Sequence, residues 1–284
     1  MADGRRLAYA EWGDPDGSPV LFFHGTPHSR LWCPDEGATA EAKVRLIAID
    51  RPGIGGSDAK EARTFGDWPM DVLELADSLR LDRFAVIGWS GGGPYAGACA
   101  ALIPQRLTAI AIVSSKHLAR FNFIDRPQAV EELDSNDRAE FELAHRNPLA
   151  AAELSASHHT KWAATLQERP EVMFDSFKTA EGDRWYFDDD ARTASLGRAL
   201  IECFRQGLNG LRWEFIDAWL PWGFRLADIH KRVHVWHGAQ DSRVSTADTD
   251  FLAHAIRNCQ VSIWPDCGHL GIAKHWGAIL GALS

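Results

Sequence analysis

At 284 residues the chain is long enough for one large α/β domain, with or without an insertion. Its composition, 45% hydrophobic and 24% charged, is ordinary for a globular protein, and a formal net charge of −9 argues against nucleic acid or an anionic membrane surface as a partner. Five scattered cysteines without a C-x-x-C pair make neither a disulfide framework nor a zinc site, so reduced thiols in a cytoplasmic protein are expected. No charged-then-apolar leader precedes the first strand, and no apolar run reaches the roughly 18 residues of a membrane helix.

The first third alternates strands and helices. Leu7–Trp12 reads as a strand, followed by the turn-rich stretch Gly13–Pro19. Val20–Phe23 is a short apolar run that ends at His24-Gly25, and Val44–Ile49 is a second, stopped by Asp50–Ser57. Trp68–Leu81 has the apolar spacing of a helix. Phe84–Ile87 is a third buried strand, Gly92–Ala101 opens a helix, and Leu107–Val113 is a fourth strand. From Lys116 to Ala227 no strand is evident, and Gln128–Leu133, Arg138–Arg146, Leu149–Leu166 and Leu196–Leu208 are helical candidates. The strand signal returns at Val233–Trp236, then helix Thr246–Ile256, strand Val261–Trp264 and helix His275–Leu283. Strands apolar on both faces and separated by helices imply a parallel sheet covered on both sides. The simplest organisation is a core of residues 1–115 and 228–284 with a helical cap, 116–227, inserted in it.

Gly88-Trp89-Ser90-Gly91-Gly92 is a G-x-S-x-G motif set between a buried strand and a helix. A nucleophile there sits on a sharp strained turn, which needs small residues two before and two after it, and Gly88 and Gly92 supply them. A serine hydroxyl is a weak nucleophile at neutral pH and needs a base that is itself held in place. Asp241 follows the strand Val233–Trp236 and His269 follows the strand Val261–Trp264, with one helix and one strand between them. Asp241 could otherwise be a turn residue or a helix cap, and His269 a surface histidine. His237, beside Gly238, reads as structural, and the His158-His159 pair has no partner at metal-ligand spacing, so no metal is expected. The glycine-rich loop Asp50–Ser57 lacks the lysine of a phosphate cradle and reads as a structural turn. Half of the twelve tryptophans fall between residues 160 and 240, where they either fill a core or line a pocket.

The succession HGTP, DRPGIGGS, GWSGGGPYA, HGAQDSRV and CGH resembles the α/β-hydrolase superfamily, closest to small bacterial esterase-like members with an HG-x-P loop. The resemblance covers residues 7–115 and 228–284 and hardly touches the insertion. It implies an α/β-hydrolase fold with an eight-stranded, mostly parallel sheet, shortened where the first edge strand is missing, and a helical cap over the active site. It also implies an oxyanion hole made by the backbone N–H of Gly91 and a second N–H from the early loop, Thr26, with Gly25 its immediate neighbour. Serine at the elbow departs from the aspartate of haloalkane dehalogenases and epoxide hydrolases. HGTP departs from the HGGPG of proline iminopeptidases.

The expected function is therefore hydrolysis of a carboxylic ester or related acyl bond, a lactone or thioester, through an acyl-enzyme on Ser90, with no cofactor. The alternatives use the same triad for carbon–carbon bond hydrolysis, perhydrolysis or a cyclase or lyase step, or retain it in a non-catalytic receptor. Phe121, Phe123, Phe141, Phe174, Phe177 and Phe204 lean toward an apolar or aromatic small-molecule substrate, with Trp89 beside it. A homodimer is compatible with the sequence.

Overall fold

A strand whose side chains are apolar in both directions must be covered on both faces, and five such strands set the architecture. The computed structural model describes residues 1–115 and 122–283. Its sheet has seven strands: β1 (Tyr9–Gly13), β2 (Ser18–Phe23), β3 (Val44–Ile49), β4 (Phe84–Trp89), β5 (Leu107–Val113), β6 (Val233–Gly238) and β7 (Cys259–Trp264). They run in the order β1-β3-β2-β4-β5-β6-β7. Only β1 is antiparallel to its neighbour, Tyr9 facing Ile49 and Gly13 facing Arg45; the other pairs are parallel. The sheet is thus the shortened form of the eight strands expected.

Alternation along the strands divides the core. Val20, Phe22, Leu46, Ala48, Ala85 and Ile87 point to one face, and Leu21, Phe23, Ile47, Ile49 and Val86 to the other. Each of the larger of these side chains, valine and above, contributes roughly 1.5–3 kcal/mol when withdrawn from water. Helix α1 (Glu36–Glu41), capped by Asp35, lies on the first face. On the second, α2 (Trp68–Ser78) buries Val72, Leu75 and Ala76 and leaves Met70 outside. Helix α3 (Gly93–Leu102) is buried along nearly its whole length.

Between β5 and β6 the described chain is helical: α4 (Ser135–Arg146), α5 (Pro148–Glu168), α6 (Glu171–Lys178), α7 (Asp190–Cys203) and α8 (Leu208–Ile216), with short 3-10 turns at Pro127–Val130 and Glu181–Asp188. Leu133, Ala144, Ala152, Trp213, Ile216 and Trp219 form a separate apolar cluster within it. The helix expected at Leu196–Leu208 starts earlier and breaks. Asp189 caps its start by accepting from the Arg192 N–H, and Gly207, at φ 68, separates it from α8. The expected helix Gln128–Leu133 is only a 3-10 turn. Phe121 and the insertion's expected start at Lys116 lie outside the described residues. After β6 come α9 (Thr246–Ala255), α10 (Gly271–Lys274) and α11 (Trp276–Gly281). Among the described residues no helix is long and apolar enough to cross a membrane. All five cysteines are free.

Candidate active site

Ser90 sits where β4 ends and α3 is about to begin, at φ 53, a left-handed conformation that costs a non-glycine residue energy. The turn is possible because its flanks are bare. A Cβ on Gly88 would strike the Gly92 carbonyl and Ala96, and one on Gly92 would strike the Phe23 carbonyl. The elbow therefore presses against β2 from one side and α3 from the other, and Ser90 Oγ is presented at the carboxyl end of the sheet.

The loops after β6 and β7 bring the other two residues to it. Ser90 Oγ lies 2.9 Å from His269 Nε2, and His269 Nδ1 lies 2.8 Å from Asp241 Oδ2. A carboxylate only accepts, so Nδ1 carries the proton and Nε2 is left to accept from the serine hydroxyl. Asp241 Oδ1 accepts in turn from the backbone N–H groups of Arg243 and Val244. Burial opposes ionisation of Asp241, but the facing His269 and His237 and the Val244 N–H outweigh it and hold its pKa below the ordinary carboxylate value. His237 is wholly buried: its Nδ1 accepts from the Thr249 hydroxyl at 2.6 Å, and its Nε2 reaches the Val244 carbonyl at 3.1 Å. It braces the loop that carries Asp241.

Thr26 and Gly91 face each other across the elbow. A Cβ on Gly91 would collide with the Thr26 hydroxyl and stand 3.3 Å from the Thr26 nitrogen. The Thr26 hydroxyl donates to Glu214 Oε1 at 2.6 Å. Trp89 is buried beneath the triad, its Nε1–H donating to the His269 carbonyl at 3.2 Å, and its ring also borders the cavity over Ser90. That cavity, of about 250 Å³, holds Ser90 and His269 on its floor; Met173, Phe174 and Phe177 of α6 and Leu196 and Leu200 of α7 form its wall. Of the expected aromatic lining, Phe123, Phe141 and Phe204 pack into apolar clusters instead, as do Trp213 and Trp222. His28 also borders the cavity, and burial pushes its pKa down to about 3, so the ring is neutral.

The family model described as the alpha/beta hydrolase fold matches residues 18–275. The chain belongs to that family. Within it, a non-heme chloroperoxidase from Streptomyces lividans is 35% identical over 117 residues, 40% of this chain and 42% of that protein. The chain spans about a third to a half of the length of the curated relatives it matches. Among solved structures, a thermophilic esterase from Thermogutta terrifontis superposes with a TM-score of 0.67 at 18% identity, covering 98% of this chain and 92% of that one. A bromoperoxidase from Bacillus anthracis gives 0.68 at 21%, covering 98% and 94%. At such identities the likeness is one of fold.

Three residues of this alpha/beta hydrolase escaped the sequence reading. Arg51, on the loop read as a structural turn, is fully buried and supports the Thr26 loop from below, donating to the His24 and Gly25 carbonyls and the Thr26 hydroxyl at 2.5, 3.1 and 3.0 Å. Asp183, in the 3-10 turn Glu181–Asp188, accepts the backbone N–H groups of His269 and Leu270 at 3.0 and 2.7 Å. Arg243 borders the cavity, stacked over the Phe177 ring at 3.8 Å. The DRPG and D-x-R strings were in view for the two arginines. Nothing local marks Asp183. Away from the triad, Asp266, Cys267 and His275 group donor atoms that could hold a metal, but Asp266 is ion-paired with Lys274 at 2.7 Å.

Proposed function

We propose that this protein is a serine hydrolase that cleaves a carboxylic ester, or a related acyl bond such as a lactone or thioester. The observation that carries the proposal is the continuous relay from Asp241 through His269 to Ser90, at 2.8 and 2.9 Å, opening into a largely apolar cavity. Ser90 Oγ attacks the carbonyl carbon while His269 Nε2 takes the hydroxyl proton. Asp241 stabilises the imidazolium, and the Thr26 and Gly91 N–H groups receive the oxyanion. The imidazolium then protonates the leaving alkoxide. A water that gives its proton to His269 cleaves the acyl-enzyme, releasing the acid and restoring Ser90. Residues 116–227 act as a cap, whose α6 and α7 side chains select an apolar or aromatic group on the substrate.

A fluorophosphonate probe tests the nucleophile, and a series of p-nitrophenyl esters of increasing acyl length tests the reaction. Wild-type protein is expected to be labelled and to turn over at least one ester; Ser90→Ala loses labelling and at least about 10³-fold in kcat/KM. Folded wild-type protein that labels at Ser90 and cleaves no ester would sink the reading. The likeness to a chloroperoxidase favours one second reading, in which hydrogen peroxide replaces water at the acyl-enzyme and leaves as a peracid. Peroxide-dependent bromination of a reporter in acetate buffer, absent in Ser90→Ala, would support it.

A further inference from the structure

The cavity over Ser90 shares Thr26, Pro27 and Met173 with a neighbouring cavity of about 540 Å³ that is also bordered by Trp162, Leu166 and Phe215. Arg243 borders both. Apart from the histidines, it is the one ionisable side chain among the described lining residues of either cavity. The guanidinium offers five N–H donors in a rigid fork, and one described contact, to the Ser176 hydroxyl, uses one nitrogen. Among the described residues no carboxylate lies in ion-pair contact with it. Asp241 and Asp183, the acids nearest in electrostatic reach, accept from backbone N–H groups and from the His269 ring. The Phe177 face orients the fork and covers one side of it.

Arg243 is exposed where the two cavities share it, so the donors not used by Ser176 are open to an anionic group that a ligand brings there. We propose that Arg243 is a specificity-determining residue, holding a carboxylate carried by the substrate, so that the preferred substrate is an ester or lactone of an acid with a second, free carboxylate. A single cation matches a monoanion; a phosphate dianion would keep one negative charge without a partner. The planar fork also fits a carboxylate with two parallel hydrogen bonds. A carboxylate held on Arg243 would place an apolar chain along the α6 wall with its ester carbonyl toward Ser90. The proposal rests on the hydrolase reading and adds the substrate's charge to it.

Hydrolysis of monomethyl glutarate and dimethyl glutarate, followed by pH-stat titration and compared per ester group, tests the preference with the same methyl ester in two charge states. Wild-type protein is expected to favour the monoanion at least tenfold in kcat/KM. The ratio should collapse toward one in Arg243→Met and be partly kept in Arg243→Lys. Ser176→Ala, which removes the tie to Arg243 and a hydroxyl bond to the Met173 carbonyl within α6, should keep the ratio, separating anion recognition from a latch between α6 and the Asp241 loop. A wild-type preference for the neutral diester, or a ratio unchanged in Arg243→Met, overturns the inference. Binding separates the two readings. Ser90→Ala protein titrated with glutarate and with neutral glutaramide, followed by tryptophan fluorescence, should bind glutarate at least tenfold more tightly, and Ser90→Ala/Arg243→Met should not. Tight glutarate binding without hydrolysis of either ester keeps the anion site and removes the hydrolase. Equal binding of glutarate and glutaramide removes the anion site, whatever is hydrolysed.

Discussion

His269 is gripped at more than its ring. Its carbonyl accepts from Trp89 and its N–H donates to Asp183, while the next N–H, that of Leu270, meets the second oxygen of the same carboxylate. Gly268 donates to the Gly182 carbonyl at 3.0 Å and has no space for a Cβ, because the Asp183 carboxyl occupies it. Burial raises the Asp183 pKa, and the two N–H donors and His269 pull back against that rise. The insertion thus fixes the backbone of the proposed base. Asp183→Ala strands two buried N–H groups, each costing about 1–3 kcal/mol. It also frees the imidazole to drift, and misplacement by about 1 Å can cost 10²-fold in rate. The expected outcome on a p-nitrophenyl ester is a kcat lower by 10- to 100-fold with KM changed less than threefold, and partial recovery in Asp183→Asn, which keeps one acceptor oxygen. A raised KM with kcat intact would instead make Asp183 a wall of the pocket.

At the scale of elements, the elbow is the tightest junction. Gly92 passes so close to the Phe23 and His24 carbonyls that even a methyl group displaces β2 or the Ser90 turn. Gly92→Ala is expected to lower the melting temperature and abolish fluorophosphonate labelling. A substitution on the exposed face of α2, at Met70, should do neither. Thermal denaturation and labelling of the three proteins side by side decide it. The elbow and the strands around it were legible because they obey local rules: two-sided apolar runs make buried parallel strands, and a serine between small residues makes a strand-to-helix turn. The order Ser90, Asp241, His269 could be read for the same reason, since each follows a strand end. Helices α6 and α8 could not. Helix α6 is only eight residues long, and α8 contains Gly210, which packs against the Gly53 backbone so closely that neither tolerates a Cβ. Their reason for being helical lies in what they touch. Asp183 was hidden likewise, its contact lying 86 residues away in the chain.

Across the whole molecule, one buried ionic cluster ties the insertion to the sheet. Arg51 and Arg63 come from the segment after β3, Tyr95 from α3, Glu214 from α8 and Asp217 from its end. Glu214 takes both arginines, and its Oε1 also accepts from Thr26, so the proposed oxyanion loop hangs on this cluster. Burial works against the Glu214 charge, but Arg51 and Arg63 overcome it and hold its pKa far below the ordinary value. Asp217 is pushed the other way by burial and by Glu214 itself, so the first proton taken up goes to Asp217. For Glu214 the unfolded chain binds its proton more readily than the folded one. Its contribution is therefore complete above the ordinary glutamate pKa and is lost as pH falls through the depressed folded value. Glu214→Gln leaves buried Arg51 without its carboxylate and Arg63 with Asp217 alone, a loss of about 3–5 kcal/mol at pH 7. In a chain of this size each kcal/mol moves the melting temperature by roughly 2–4 °C. The variant should thus melt well below wild type at pH 7, and the gap should narrow from about pH 4.5 down to pH 3, as the unfolded chain takes up a proton that the folded Glu214 does not. A gap that stayed constant across that range would place the effect in packing alone and leave the ion pairs energetically idle.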